Sequence, residues 1–172
     1  MNVPDEPVLG TDTSSSRELI GEEQDVAGNI SRLLASQPFG VLCTQGWGQP
    51  YGAVVAFAYD SGLSALAFCT PTATRKFRLL EESSRIALVI DSRSLHPDDM
   101  MKVEAVTVTG NALRLAEPEA RREWAQRIVQ RHGYLRQFLQ APSTALFRID
   151  AFRYFYVSRF QEVTQWVPPR SG

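Results

Sequence analysis

Two-residue alternation of side-chain character runs through most of the chain after residue 38 and predicts β-strands. Residues 85–91 illustrate it, because Ile86, Leu88 and Ile90 occupy every second position. Successive strand side chains point to opposite faces, so this period is typical of a sheet. The intervening residues are also apolar, and we expect this strand to be buried on both faces. Six strands are predicted in all, at residues 39–44, 51–59, 63–70, 85–91, 103–115 and 144–157.

A helical period interrupts the strands in a few places. Residues 22–36 carry an apolar stripe, and Pro38 ends this helix because proline disfavours helical geometry in the residue before it. Residues 77–82 and 117–131 are predicted as two further helices, and Pro118 is tolerated in the first turn of the second. A short helical turn is expected at 135–139.

These elements predict a mainly β fold, a six-stranded, mostly antiparallel closed barrel with flanking helices. The length of 172 residues indicates one domain, which we place at residues 21–172. Residues 1–20 contain few apolar anchors and are expected to be flexible or to lie across a neighbouring molecule. The segment around Trp166 is expected to be a tail.

Composition excludes several classes of function. Hydrophobic residues make up 44% and charged residues 22%, which is typical of a soluble globular protein. The formal net charge of −1 provides no general attraction for nucleic acid. No apolar run has the length of a membrane span, and the polar N-terminus does not resemble a signal peptide. We therefore expect a cytoplasmic protein that binds neither nucleic acid nor membrane.

The segment Thr70-Pro-Thr-Ala-Thr-Arg-Lys76 carries the strongest chemical signal. It lies where a predicted strand gives way to a predicted helix, and a helix start presents unpaired N–H groups and the positive end of the macrodipole. With Arg75 and Lys76 added, the place is suited to a phosphate. The alternative is that Thr72 or Thr74 serves only as a helix cap and that the cations are solvated.

With the segment 80–90 that follows it, this motif resembles the FMN-binding split-barrel proteins related to pyridoxamine 5′-phosphate oxidase. The resemblance extends from about residue 33 to residue 112, roughly half of the chain. It implies a six-stranded split barrel that forms a homodimer, with two FMN molecules at the subunit interface.

The resemblance also implies a set of cofactor-binding residues. Thr70, Thr74, Arg75 and Lys76 match the positions that hold the flavin phosphate, and Cys69 belongs to the same motif. The strand Tyr51, Gly52, Ala53 and Val54 matches the one along which the isoalloxazine ring lies. Glycine suits this strand because it allows a ligand close to the backbone, although a bulge or a barrel bend would also explain Gly52. Trp166 either reaches the flavin of a partner subunit or packs in the protein's own core.

Departures from the oxidase indicate a different substrate. The oxidase has basic residues where this chain has Gly52 and Phe57, and a polar amide where it has Ala105. Its C-terminal Arg-Leu-His signature is absent. A substrate phosphate would therefore be left without cationic partners, and we expect a divergent relative that keeps the cofactor site and does not oxidise pyridoxamine phosphate.

The function predicted is that of a homodimeric FMN-dependent oxidoreductase acting on a small organic substrate. Cys43 and Cys69 each lie singly in an apolar run, and both are expected to be buried. No acid–base pair or metal-binding spacing is evident, and no catalytic residue is assigned. One alternative is a non-catalytic split-barrel protein that binds flavin, deazaflavin F420 or haem, and another is a barrel that has lost its cofactor and acts through protein contacts. His96 and His132 are the only histidines available to a haem iron.

Overall fold

A computed structural model describes residues 19–159 and 162–169. The described strands are β1 Phe39–Gly46, β2 Gln49–Tyr59, β3 Ala65–Pro71, β4 Arg85–Asp91, β5 Ala105–Arg114, β6 Thr144–Ser158 and β7 Glu162–Trp166. The described α-helices are α1 Leu19–Ser36, α2 Arg75–Glu82, α3 Pro118–Arg131 and α4 Arg136–Gln140. The predictions for residues 1–18 lie outside the described residues.

Six of the strands close into an antiparallel barrel in the order β3-β2-β1-β4-β5-β6, with β6 pairing back onto β3. Closure depends on the length of β6, whose first half pairs with β3 from Thr144 opposite Pro71 to Asp150 opposite Ala65. Its second half stays paired with β5 on one side and pairs with β7 on the other. The predicted six-stranded barrel is thus confirmed.

Two apolar clusters hold the barrel and its helices together. The interior is filled by side chains from the strands and by the buried stripe Ile30, Leu33 and Leu34 of α1. On the outside of β2 and β3, Trp124 and Ile128 of α3 pack over a surface of small alanines. The opposite outer face, formed by β1, β4 and β5, is covered by neither of these two clusters.

The helix starts follow from local capping. Glu117 accepts hydrogen bonds from the backbone N–H of Glu119 (3.0 Å) and Ala120 (2.7 Å), with Pro118 in the first turn. α2 begins at Arg75, two residues before the predicted start, because the side chain of Thr74 caps it. Arg75 and Lys76 therefore belong to the first helical turn and not to the loop before it.

Three other predictions need correction. The segment around Trp166 is not a tail but the strand β7, which pairs with β6 from Trp166 opposite Tyr154 to Glu162 opposite Ser158. β4 is buried on one face only, since Ala87 and Val89 are half-buried in the single chain. Cys43 and Cys69 are likewise half-buried instead of buried. No helix among the described residues is long and apolar enough to cross a bilayer.

Candidate functional site

The loop between β3 and α2 is organised by two threonines. Thr74 accepts a hydrogen bond from the N–H of Phe77 (3.3 Å) and donates to the carbonyl of Pro71 (2.9 Å). The hydroxyl of Thr70, a residue only 1% exposed, lies 3.0 Å from that of Thr74. Thr74 is therefore a helix cap, as the simpler interpretation predicts, and the hydroxyls hold the loop in shape. A phosphate contact from either hydroxyl stays a prediction.

The two cations of the motif stand in the first turn of α2 without carboxylate partners. Neither Arg75 nor Lys76 forms an ion pair with another described residue. Arg75 is exposed, whereas Lys76 is half-buried, and burial lowers the pKa of its ammonium group. The first-turn N–H groups of a helix that its cap does not satisfy have no partner within the helix. This end of α2 is therefore a concentration of unpaired hydrogen-bond donors with positive charge.

A ring contact joins this loop to the strand predicted to carry the flavin ring. The guanidinium carbon of Arg75 lies 5.2 Å from the ring centroid of Tyr51, at the start of β2. That distance is within the range of a cation–π interaction. The contact brings together two parts of the predicted site that are 24 positions apart in sequence.

The strand that follows Tyr51 has room on its outer side. Gly52 pairs with Cys43 in unbroken register, so a β-bulge does not explain the glycine. A Cβ atom placed at Gly52 would meet only Val41, at 3.5 Å, which is an ordinary contact. Ala53 is half-buried and Val54 is 69% exposed. The backbone here is open to the approach of a flat ligand.

The remaining aromatic and sulfur candidates lie in different surroundings. Cys69 packs beside the α3 cluster, and burial raises the pKa of its thiol to about 11, so it is neutral near pH 7. Trp166 is half-buried and meets the Tyr154 ring edge-on at 5.5 Å. No described contact joins Trp166 to Tyr51 or Arg75 of the same chain. Trp47 is 75% exposed at the tip of the β1–β2 hairpin.

The two histidines differ sharply. His132 is 3% exposed, and its Nε2 lies 2.9 Å from the carbonyl oxygen of Phe57. His132 therefore has a structural role, because it contacts the backbone of a barrel strand. His96 is half-buried and lies in the segment between β4 and β5. Among the described residues, no group of three His, Cys, Asp or Glu side chains is arranged to hold a metal ion.

A second polar cluster lies at the far end of the barrel and was not predicted. The guanidinium of Arg32 donates two hydrogen bonds to Glu104, at 3.0 and 2.8 Å, and the hydroxyl of Tyr156 donates to the same carboxylate. The Arg32 hydrogen bonds lower the pKa of Glu104, and burial raises that of Tyr156 to about 12. The three residues come from separate elements, so no local sequence motif reveals them.

The sequence profile of the pyridoxamine 5′-phosphate oxidase family matches residues 27–158, which include the barrel and the α2 loop. The chain belongs to this family. No curated protein sequence is detectably similar to it.

Solved structures confirm the split-barrel fold of this oxidase-family member. A haem-binding protein from Mycobacterium smegmatis has a TM-score of 0.72 at 19% identity, over 82% of this chain and 57% of that one. HutZ, the haem storage protein from Vibrio cholerae, has a TM-score of 0.65 at 15% identity, over 82% and 93% of the two chains. General Stress Protein 26 from Bacillus anthracis has a TM-score of 0.62 at 17% identity, over 83% and 98%.

The structure gives one departure from the oxidase a physical basis. Phe57, at the position where the oxidase has a cation for its substrate phosphate, is wholly buried in the barrel. The guanidinium carbon of Arg131 lies 5.0 Å from its ring centroid. The Phe57 side chain itself has no donor for a phosphate, and the neighbouring Arg131 guanidinium already donates to the backbone carbonyls of Leu34 and Gln37.

Proposed function

We propose that this family member binds FMN, with the cofactor phosphate at the start of α2 and the isoalloxazine ring along β2. The observation that carries the proposal is the pair of unpaired cations in the first turn of α2, one of them placed over the ring of Tyr51. Arg75, Lys76 and the helix N–H groups would hold the phosphate. Tyr51, Gly52, Ala53 and Val54 would lie along the ring.

The residues present fit such a group. A half-buried ammonium such as that of Lys76 loses hydration without gaining a carboxylate, and a bound phosphate would supply the missing negative charge. The open outer side of Gly52 leaves space at the backbone, where N–H groups can stabilise negative charge on a flavin edge.

We propose further that the protein is a homodimer that covers the cofactor with its partner. The outer face of β4 is unusually apolar for a solvated surface, because Ala87 and Val89 are half-buried there and lie beside Val41 and Cys43 of β1. A second copy of the chain would bury this face. The partner subunit would then shield the flavin from water, and Trp166 or Trp47 of that subunit is available to cover the ring.

The reaction class proposed is FMN-dependent oxidation or reduction of a small organic substrate. When bound, the flavin supplies the redox chemistry, and the protein supplies position, electrostatics and protection from water. The substrate is not expected to carry a phosphate, because Gly52 and Phe57 occupy the positions where the oxidase has cations. No side chain is assigned as acid or base.

Substitution of Arg75 tests the proposal against a matched control on the same helix. We expect Arg75→Ala to weaken FMN binding about tenfold to a hundredfold, because it removes a charge-assisted contact. Arg78→Ala removes an exposed arginine one turn later and should leave FMN affinity unchanged. Equal FMN retention in the two variants would show that the phosphate lies elsewhere.

The visible spectrum of the purified protein, with mass analysis of the released chromophore, separates the alternatives. A flavin spectrum with FMN released supports the proposal. A deazaflavin or haem spectrum would replace it with that ligand, and two of the similar structures are of a haem-binding protein and a haem storage protein. His132 is 3% exposed and its Nε2 is in contact with the Phe57 carbonyl, so a haem-bound form would direct attention to the more exposed His96.

A further inference from the structure

A cavity of about 660 Å³ lies at the opposite end of the barrel from the α2 loop. Its walls are α1, the segment 96–104 and the β6–β7 ribbon. The start of β6 pairs with Pro71 beside the proposed phosphate site, whereas Ser158 at its other end lines the cavity. The cavity is therefore separate from the phosphate site of the same chain, and its size is within the range of small-molecule sites, roughly 300–1,000 Å³.

The floor of the cavity is a fixed polar structure. Glu104 and Tyr156 line it, and Arg32 neutralises the carboxylate of Glu104 through two hydrogen bonds. Ser92 fixes the backbone of the same residue, because its hydroxyl accepts from the N–H of Glu104 at 2.9 Å and its own N–H donates to the carbonyl at 2.9 Å. Both carboxylate oxygens of Glu104 thus already accept hydrogen bonds, and Arg32 balances its charge, so the floor does not present an unpaired carboxylate to a cation.

The other polar lining contains a further carboxylate, that of Glu162, and several hydrogen-bond donors that are unused within the described part of the chain. The imidazole of His96 and the hydroxyls of Ser158 and Thr164 form no hydrogen bond with another described residue. Lys102 donates to Asp99 at 3.0 Å, which leaves two of its three protons for other acceptors. Arg159 lies 3.8 Å from Glu162, too far for a hydrogen bond. Arg159 offsets the charge of Glu162 as an ion pair, and a ligand that satisfies the remaining donors must carry acceptor oxygens.

Apolar surface completes the lining. Val26 of α1, the exposed side chain of Met101 and the ring of Tyr156 border the same space. Inorganic phosphate could satisfy the donors but would leave this surface uncovered. An organic molecule with one acidic end would use both parts of the lining.

We infer that this cavity binds a small organic acid, with its carboxylate held by His96 and Lys102 and its apolar body against Val26 and Met101. The inference goes beyond the proposed function and does not depend on it, because the flavin phosphate is assigned to the other end of the barrel.

Benzoate is a suitable probe, and the imidazole signals of the full chain report its binding. In ¹⁵N-histidine-labelled protein as purified, benzoate should shift the His96 signal saturably while the buried His132 signal stays in place. Lys102→Met should weaken benzoate binding about tenfold, through loss of a charge-assisted hydrogen bond. Arg93→Met is the matched control, since Arg93 is an exposed cation just before His96 that does not line the cavity.

Calorimetry with His96→Gln should show the same direction of change, and thermal unfolding checks that the exposed substitutions leave the fold intact. The assignment is overturned if the His96 shift does not saturate, or if Arg93→Met weakens binding as much as Lys102→Met. It is also overturned if inorganic phosphate binds as tightly as benzoate. The absorbance of bound flavin is recorded separately, so a failure here leaves the Arg75 experiment unaffected.

Discussion

At the scale of single residues, arginines of similar sequence surroundings have different roles. Arg131 at the end of α3 donates to the backbone carbonyls of Leu34 and Gln37, the second at 2.6 Å, and lies over the rings of Phe57 and Tyr59. It thereby satisfies carbonyls at the end of α1, which lack partners within that helix. One turn earlier, Arg127 pairs with Glu123 on the helix surface at 3.0 Å.

Arg131→Met should therefore lower the free energy of unfolding by about 2 kcal/mol, because two hydrogen bonds to backbone carbonyls are lost while the apolar stem is kept. Arg127→Met should cost under about 1 kcal/mol, as is usual for exposed ion pairs. Urea denaturation of both variants measures the difference. Equal losses would show that the bonds of Arg131 to α1 contribute little to stability.

Single residues also show where sequence reasoning succeeds. Thr74 as a helix cap is visible in sequence because a cap is a local interaction over three positions. The contact between Tyr51 and Arg75 is not visible, since it forms only when the barrel brings the start of β2 beside α2. The same holds for Arg32, Glu104 and Tyr156, which meet only in the folded chain.

At the scale of elements, the trio of Arg32, Glu104 and Tyr156 connects α1 to the segment before β5 and to β6. The pKa of Glu104 is below its usual value, mainly through its hydrogen bonds from Arg32. The carboxylate therefore contributes stability above the pKa of the unfolded chain, and the contribution disappears as pH falls through the lower folded pKa. We expect the wild type to lose more stability than Glu104→Gln between about pH 5 and pH 3.

Urea midpoints measured across that pH range test the expectation. Glu81→Gln, an exposed glutamate on α2, should keep the pH dependence of the wild type. If Glu104→Gln and the wild type lose stability in parallel on acidification, the trio does not provide the link between α1 and the barrel.

Substitution of two strand glycines distinguishes a role in close packing from a role in allowing a ligand near the backbone. A Cβ atom at Gly110 would lie 2.3 Å from the backbone oxygen of Asp150, next to the register shift between β5 and β6. Gly110→Ala should thus lower the free energy of unfolding by about 2 kcal/mol or more. Gly52→Ala has room in the single chain, so its stability should be unchanged while FMN affinity falls about tenfold, if the ring lies along β2. Thermal unfolding and flavin titration measure the two effects, and an unchanged FMN affinity would place the ring elsewhere.

The element boundaries show why part of the fold escapes sequence patterns. The alternation in β4 and β5 identifies strands because one set of side chains fills the core. β7 carries a weaker pattern, because Val163 is exposed while the polar Gln165 and the aromatic Trp166 are both half-buried, and so it resembles a tail in sequence. Capping by Thr74 moves the start of α2 to Arg75, and this shift places both cations in the first turn.

At the scale of the whole molecule, the expectation that β4 is buried on both faces is wrong for the single chain. It still draws attention to the apolar outer face of this strand. Val89 pairs with Val41 on one side and with Thr107 on the other, in the middle of a sheet face that neither helix cluster covers. Full burial of this face would require contacts beyond those that the single chain makes. The mismatch at β4 is what a dimer interface across this face would produce.

Val89→Glu tests the interface directly, because a carboxylate buried there without a partner would oppose association. We expect the variant to sediment as a monomer at concentrations where the wild type is a dimer, with its dissociation constant raised at least about a hundredfold. It should also lose FMN if the partner subunit covers the flavin. Tyr134→Glu, an exposed aromatic on the α3 side, should leave both properties unchanged, and circular dichroism confirms that each variant folds. A wild-type monomer at micromolar concentration, or a dimer that survives Val89→Glu, would show that this face is not the dimer interface. The apolar surface of β4 would then need a different partner.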